Sequence, residues 1–162
     1  MAKKKKGLGV AGLIVLLVAV LLGGVLFVGA VSGWFEDDFN VVLDAEYLGT
    51  FEGFNDITAE EYEELARNQR SFMVLVDQGG CTTADRLRGF VKDWATDAGV
   101  KVQRIMFSEI KETSLHDSVK YYPAVAIISR GKVVGFLRAD SDEDADKYND
   151  FEAFKGWIEK YL

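Results

Sequence analysis

The chain has 162 residues and a formal net charge of −7. The four lysines at positions 3–6 contribute +4 and residues 7–34 carry no charge, so the rest of the chain carries −11. This length leaves room for one folded domain of about 120 residues beyond the uncharged segment. The acidic balance excludes a protein that binds nucleic acid or anionic lipid through a basic surface.

The first predicted element is a transmembrane helix at residues 7–34, an apolar run directly after the lysines at 3–6. A helix needs about 20 apolar residues to cross the hydrocarbon core of a bilayer, and this run is longer. Because lysines stay on the cytoplasmic side, we predict a cytoplasmic tail at residues 1–6 and an extracytoplasmic C-terminal domain. The expected protein is a single-pass protein of the cell membrane with a retained signal anchor.

A cleaved signal peptide is the alternative for this segment, because Gly29, Ala30 and Ser32 are small enough for a processing site. The apolar core of a signal peptide usually spans about 7–15 residues, which is much shorter than this run. Cleavage would leave the same domain on the same side of the membrane, released from its anchor.

The region after the anchor alternates predicted strands and helices. Residues 35–55 are predicted to be a juxtamembrane segment with a weakly patterned first strand at 40–48, and residues 56–162 the folded domain. The elements predicted after residue 56 are a helix at 59–70 behind a Thr58–Glu61 capping box, a buried strand at 71–77, a helix at 82–98 closed by Gly99, a strand at 100–107, a short helix at 109–121, strands at 124–129 and 133–137 joined by a tight turn, and a helix at 151–162. This order predicts an α/β fold with a mixed sheet and helices on both faces.

The chain has one cysteine, Cys81, so no disulfide can form within it. Cys81 opens the helix predicted from Thr82, and the unpaired amides at a helix N-terminus lower the pKa of a thiol there. The small Thr82 and Thr83 side chains leave the approach to it open. This setting predicts a thiol that forms mixed disulfides, isomerises disulfides as a monothiol, or is oxidised to a sulfenate. The alternative is a packed cysteine without chemistry.

The acidic segment 140–150 has aspartates at alternate positions from Asp140 to Asp146, as some calcium loops do. A calcium loop also needs glycine at its sixth position and glutamate at its twelfth. Counted from Asp140, these positions hold Ala145 and Phe151, so we predict a solvated loop. His116 is the only histidine and is predicted to be an exposed helix residue; no metal site and no cofactor is predicted.

Two stretches of this sequence resemble the thioredoxin-fold proteins, and the resemblance covers residues 56–162. In the first, an apolar strand ends in Val76-Asp77 and is followed by a turn and by Cys81 at the start of a helix. In the second, a helix leads into Tyr121-Tyr122-Pro123, an apolar strand and a hairpin. The resemblance implies a cis peptide bond before Pro123 and a peptide-binding surface at Thr82, Tyr122 and Pro123. The anchor is also similar to that of surface-tethered thioredoxin-like proteins of bacteria, loosely including accessory proteins of bacteriocin export.

The sequence departs from that family at the reactive motif, which in the family is Cys-x-x-Cys. Here the motif is Cys81-Thr82-Thr83-Ala84, so the position that resolves a mixed disulfide holds alanine. This argues against a dithiol oxidoreductase. Asp77 lies closer to Cys81 than the family's buried acid does, so it is given no role in proton transfer.

Two hypotheses of function follow from these residues. The first is a membrane-tethered, extracytoplasmic thioredoxin-like protein in which Cys81 is the nucleophile for monothiol exchange or isomerisation of disulfides in exported peptides. The second is a redox-inactive module that binds a peptide or protein partner at the membrane surface along Cys81, Tyr122 and Pro123. The reactivity of Cys81 distinguishes them.

Overall fold

The computed structural model describes residues 40–162. The predicted cytoplasmic tail and transmembrane helix, residues 1–34, lie outside the described residues. Between residues 40 and 162, no helix is long and apolar enough to cross a membrane.

A five-stranded mixed sheet forms the centre of the domain. Its strands are β1 (Asn55–Asp56), β2 (Phe72–Asp77), β3 (Gln103–Met106), β4 (Ala124–Ser129) and β5 (Lys132–Phe136), in the spatial order β1-β3-β2-β4-β5. Strands β1, β3 and β2 are parallel, whereas β4 and β5 are antiparallel to their neighbours. The helices are α1 (Ala59–Arg67), α2 (Thr82–Ala98), α3 (Leu115–Ser118) and α4 (Phe151–Ile158).

The central strand β2 is buried along its whole length, as its continuous apolar sequence predicted. Met73 and Leu75 face a core that α2 and α4 cover, and Val74 and Val76 face a second core that α1 and α3 cover. Each fully buried side chain of this size contributes about 1.5–3 kcal/mol to folding. The sheet therefore has helices on both faces, as the element order predicted.

The start of α1 and the end of α2 lie where the sequence signals predicted them. At the start of α1, the Glu61 amide donates to Thr58 Oγ1 at 3.2 Å and the Thr58 amide donates to Glu61 Oε2 at 2.7 Å, which completes the predicted capping box. At the end of α2, Gly99 adopts the left-handed conformation with φ of +65°.

The opening strand predicted at 40–48 does not form. Val41 and Leu43 are buried, but the backbone bonds of this stretch go to separate elements: the Val41 amide donates to the Tyr161 carbonyl and the Asp44 amide to the Ser71 carbonyl. A 3-10 turn, Ala45–Tyr47, follows instead. Because side chains of this stretch pack in both cores, the packed domain begins upstream of residue 56.

The short helix predicted at 109–121 is divided into two pieces, a 3-10 turn at Ile110–Glu112 and α3. Thr113 lies between them, and its hydroxyl donates to the Ile110 carbonyl at 2.7 Å. This local bond competes with a continuous helix. The three side chains predicted to point inward, Ile110, Leu115 and Val119, are buried.

Candidate functional site

Cys81 is the N-cap residue of α2, directly after the turn that follows β2. Its thiol is free and half-buried. Gly80 has φ of +74°, a conformation that glycine adopts without strain, and this allows the chain to turn into the helix. The thiol is therefore presented at the end of the sheet, beside the first turn of α2.

The first turn of α2 lowers the pKa of the Cys81 thiol. The amides of Ala84 and then Thr83 cause most of this effect, while partial desolvation and the charge of Asp85 oppose it. The thiol makes no capping hydrogen bond in the structure, so these amides act on the charged form as donors to the thiolate. The predicted position of Cys81 at the N-terminus of this helix is confirmed.

Cys81 and Pro123 line one cavity of about 390 Å³, although they are far apart in the sequence. The antiparallel pairing of β2 with β4, in which Val76 opposes Ala124, brings the end of β2 beside the start of β4. The Tyr122–Pro123 peptide bond is cis, as the resemblance implied. Tyr122 and Thr83 also line this cavity, whereas Thr82, the threonine predicted to bind peptide, is exposed and lies outside its lining.

Tyr122 is half-buried and fixed on two sides. Its hydroxyl lies 3.1 Å from His116 Nδ1, and its ring centroid lies 5.9 Å from that of Phe107. Burial raises the pKa of its phenol. His116 is thus a half-buried partner of Tyr122, which corrects its prediction as an exposed helix residue. Phe107 is 36% exposed and extends the aromatic surface beyond the cavity.

The loop between β5 and α4 also lines the cavity, through Asp140, Asp142, Tyr148 and Asn149. The buried Tyr148 hydroxyl donates to the Pro123 carbonyl at 2.9 Å and so attaches this loop to the start of β4. Burial and nearby aspartates raise the pKa of Tyr148, which therefore stays a neutral donor. Tyr148 was predicted only as a residue of the acidic loop, because no local sequence signal indicates its hydrogen bond to the distant Pro123.

The aspartates of this loop fall into two groups. Asp144 and Asp146 form ion pairs, Asp144 with Arg138 and Lys147 and Asp146 with Lys147. Asp140 and Asp142 line the cavity and form no ion pair with any residue between 40 and 162. We refer to Asp140 and Asp142 as the acidic wall. In the part of the chain that the structure describes, no three His, Cys, Asp or Glu side chains are grouped closely enough to hold a metal ion.

Asp77 is buried at the end of β2 and is held by two arginines. Arg88 of α2 donates to its two oxygens at 3.0 and 3.1 Å, and Arg104 Nη1 approaches Asp77 Oδ2 at 3.6 Å. A carboxylate paired in this way links strand to helix through charge-assisted hydrogen bonds. These contacts give Asp77 a structural role, in which it joins the end of β2 to α2.

No family model matches this chain, and no curated protein matches it. Among solved structures, a chain from a study of thiol resolution in yeast mitochondrial 1-Cys peroxiredoxin via the glutathione and thioredoxin systems is 11% identical, with a TM-score of 0.51 over 68% of this chain and 98% of that one. A mutant thioredoxin of Halobacterium salinarum is 17% identical, with a TM-score of 0.49 over 70% of this chain and 94% of that one. The thioredoxin of Trypanosoma brucei brucei is 13% identical, with a TM-score of 0.48 over 74% of this chain and 99% of that one.

Residues 40–162 have a thioredoxin-like α/β fold. The strand order, the helices on both faces of the sheet and the placement of Cys81 beside Pro123 all agree with it. At the identities found, the likeness to solved structures concerns the fold alone. The predicted fold class is confirmed for the described domain.

Proposed function

We propose that this protein is a membrane-tethered, extracytoplasmic thioredoxin-fold protein whose Cys81 exchanges disulfides as a single thiol. The observation that carries the proposal is the position of Cys81. Its sulfur lies at the N-terminus of α2 and in the same cavity as Tyr122 and Pro123. A lowered pKa increases the fraction of the thiol that is present as the reactive thiolate at a given pH, and the cavity leaves room for a second sulfur beside it.

The proposed reaction is one exchange step. The Cys81 thiolate attacks one sulfur of a disulfide in an exported peptide, and a new S–S bond forms as the old one breaks. The leaving sulfur takes the bonding electron pair and then a proton from solvent. The disulfide of the partner is the oxidant, and no other co-reactant is needed.

Completion of the reaction depends on a thiol from another molecule. Position 84, where a resolving thiol would stand, is Ala84, and this side chain is 1% exposed. A second thiol of the same peptide, or a separate small thiol, must therefore attack the mixed disulfide and regenerate Cys81. Attack by another thiol of the same peptide rearranges its disulfides. Attack by a separate small thiol releases Cys81 and leaves that small thiol bonded to the peptide sulfur, so a second small thiol must attack this bond before the peptide disulfide is reduced.

The pH dependence of Cys81 alkylation tests the nucleophile. The Ala84 and Thr83 amides lower the pKa of the thiol. We therefore expect the alkylation rate of the folded protein to reach half its maximum at a pH below about 8.5, the ordinary pKa of a cysteine thiol. The same chain unfolded in denaturant serves as the control and should titrate near that ordinary value. Alkylation that becomes fast only on unfolding would instead support a redox-inactive module that binds a peptide or protein partner.

Chemical labelling of Cys81, the single cysteine, also tests on which side of the membrane the domain lies. The apolar run at 7–34 behind the lysines at 3–6 supports an extracytoplasmic domain. We therefore expect a membrane-impermeant maleimide to label the full-length chain at Cys81 in intact cells, with a Cys81→Ser chain as the unlabelled control. Labelling only after permeabilisation would place the domain on the cytoplasmic side and overturn this part of the proposal.

A further inference from the structure

The lining of the cavity at Cys81 combines aromatic and acidic side chains. Tyr122 packs against the partly exposed ring of Phe107, with 5.9 Å between ring centroids. The acidic wall, Asp140 and Asp142, belongs to the same lining. Cys81 lines the same cavity, so a molecule that reaches the sulfur also meets these side chains.

Two cations of this loop are engaged elsewhere, whereas Lys120, which lines a second cavity with Asp140, forms no ion pair among residues 40–162. Arg138 pairs with Glu143 at 2.6 Å and with Asp144 at 3.4 Å, and Lys147 pairs with Asp144 and Asp146. Arg86 hydrogen-bonds the Asn149 amide oxygen. Within residues 40–162, Asp140 and Asp142 form no ion pair, so no direct partner neutralises their charge in the lining of the cavity that also holds Cys81.

We propose that the Cys81 site selects an extended peptide segment in which the reacting cysteine is flanked by a lysine or arginine and by a large apolar side chain. This proposal rests on the exchange reaction proposed above and adds the class of substrate. The charge complementarity of the acidic wall favours the cationic residue, and the aromatic pair Phe107–Tyr122, continuous with the cavity, favours the apolar residue. Carboxylates within about 10 Å of the encounter site raise the local concentration of a cationic partner.

Matched peptide disulfides test the charge preference. The probes share one sequence around a central cysteine joined to 2-mercaptoethanol, and they differ only in a flanking Lys, Gln or Glu. The full chain in uncharged detergent micelles reacts with each probe, and the peptide adduct on Cys81 is measured by mass. We expect the Lys probe to react about tenfold faster than the Glu probe at low ionic strength, and less than about twofold faster at 1 M salt.

Variants assign the charge preference to the acidic wall. Asp140→Asn combined with Asp142→Asn should lower the Lys:Glu rate ratio about fivefold. Asp93→Asn with Asp97→Asn removes the same charge from exposed positions further along α2, and should leave the ratio unchanged.

Phe107→Ser tests the apolar preference. It should slow a probe with Leu next to the cysteine about threefold relative to a probe with Ser at that position, since part of the apolar contact is lost. Leu48→Ser, at another exposed apolar position, is its control.

The outcomes separate this inference from the proposed reaction. Equal rates for the three charged probes, or a preference that persists in the Asp140→Asn, Asp142→Asn chain, would overturn the inference. The comparison of probes on the unaltered chain is decisive even where a variant fails to fold. Bis(2-hydroxyethyl) disulfide, which is small and neutral, tests the reaction itself. If it fails to modify Cys81, the proposed exchange falls, whereas modification without peptide preference overturns only the substrate class.

Discussion

Gly131, at the turn between β4 and β5, shows how a single backbone position determines packing. It has φ of +75°, and its amide donates to the Arg70 carbonyl at 2.8 Å. A β-carbon at this position would overlap the carbonyl oxygen of Ala66 and lie 2.9 Å from its carbonyl carbon. The turn therefore approaches the last residues of α1 closely because position 131 has no side chain.

Gly131→Ala is expected to destabilise the domain by about 2–4 kcal/mol, since it adds backbone strain to a collision with the α1 backbone. Gly89→Ala is the matched control. Gly89 lies in α2 with nothing within 4 Å of an added β-carbon, so alanine there should stabilise the helix by about 0.5–1 kcal/mol. Urea unfolding of both variants measures the two effects, and equal effects would contradict the role assigned to position 131.

Among single residues, the sequence identified those whose signals are local. The helix-opening Cys81 and the capping pair Thr58–Glu61 were predicted from adjacent positions. The association of Cys81 with Pro123 was implied by resemblance, because their proximity arises from strand pairing. Tyr148 and Phe107 were missed, since the site gains them only when distant segments pack together.

At the scale of elements, the ion pair between Arg88 and the buried Asp77 joins the end of β2 near Cys81 to helix α2. Asp77 ends β2 shortly before Cys81, and Arg88 lies in α2 after Cys81. Their two hydrogen bonds connect the segments on either side of the thiol. The Asp77 side chain is 4% exposed, so without Arg88 its charge stays buried with only the longer contact to Arg104 Nη1 at 3.6 Å.

Arg88→Met should therefore cost about 3 kcal/mol of folding free energy, in the range found when one partner of a buried pair is removed. Arg86→Met, in the same helix, removes an exposed arginine that bonds Asn149 and should cost less than about 1 kcal/mol. Thermal and urea unfolding of the two variants gives the comparison. Comparable losses of folding free energy in the two variants would mean that the Arg88–Asp77 ion pair contributes little to stability.

The predicted elements were most accurate where periodicity and end signals agreed. Strand β2 and helix α2 satisfy both conditions, and their bounds follow the prediction closely. The segments at 40–48 and 109–121 carry apolar residues without decisive end signals. There, tertiary backbone bonds and the Thr113 hydroxyl determined the conformation, and neither is visible as a sequence period.

At the scale of the whole molecule, residues 40–162 contain both cores. The segment before β1 contributes to each: Val41 and Leu43 pack with α2 and α4, and Tyr47 packs against Phe72 at 5.7 Å between ring centroids. This segment therefore belongs to the folded unit and does not act as a spacer.

A chain that begins at Asp38 is expected to fold cooperatively, whereas one that begins at Asp56 should lose about 5 kcal/mol through the missing buried side chains of Val41, Leu43 and Tyr47. A loss of that size is a large fraction of the stability of a typical domain. Near-ultraviolet circular dichroism and urea titration of the two chains test this expectation. If the shorter chain were equally stable, the assignment of residues 41–47 to the cores would be wrong.

The loop that carries the acidic wall is fastened near both of its ends. Near its start, the Arg138 amide donates to Asp144 Oδ2 at 2.9 Å. Tyr148 binds the Pro123 carbonyl, and Asn149 binds Arg86 of α2. The wall is therefore preorganised: an arriving segment meets carboxylates already in place, and no conformational entropy is lost in ordering the loop at that moment. Because such a surface does not rearrange during association, differences in affinity between peptides should arise mainly from their dissociation rates.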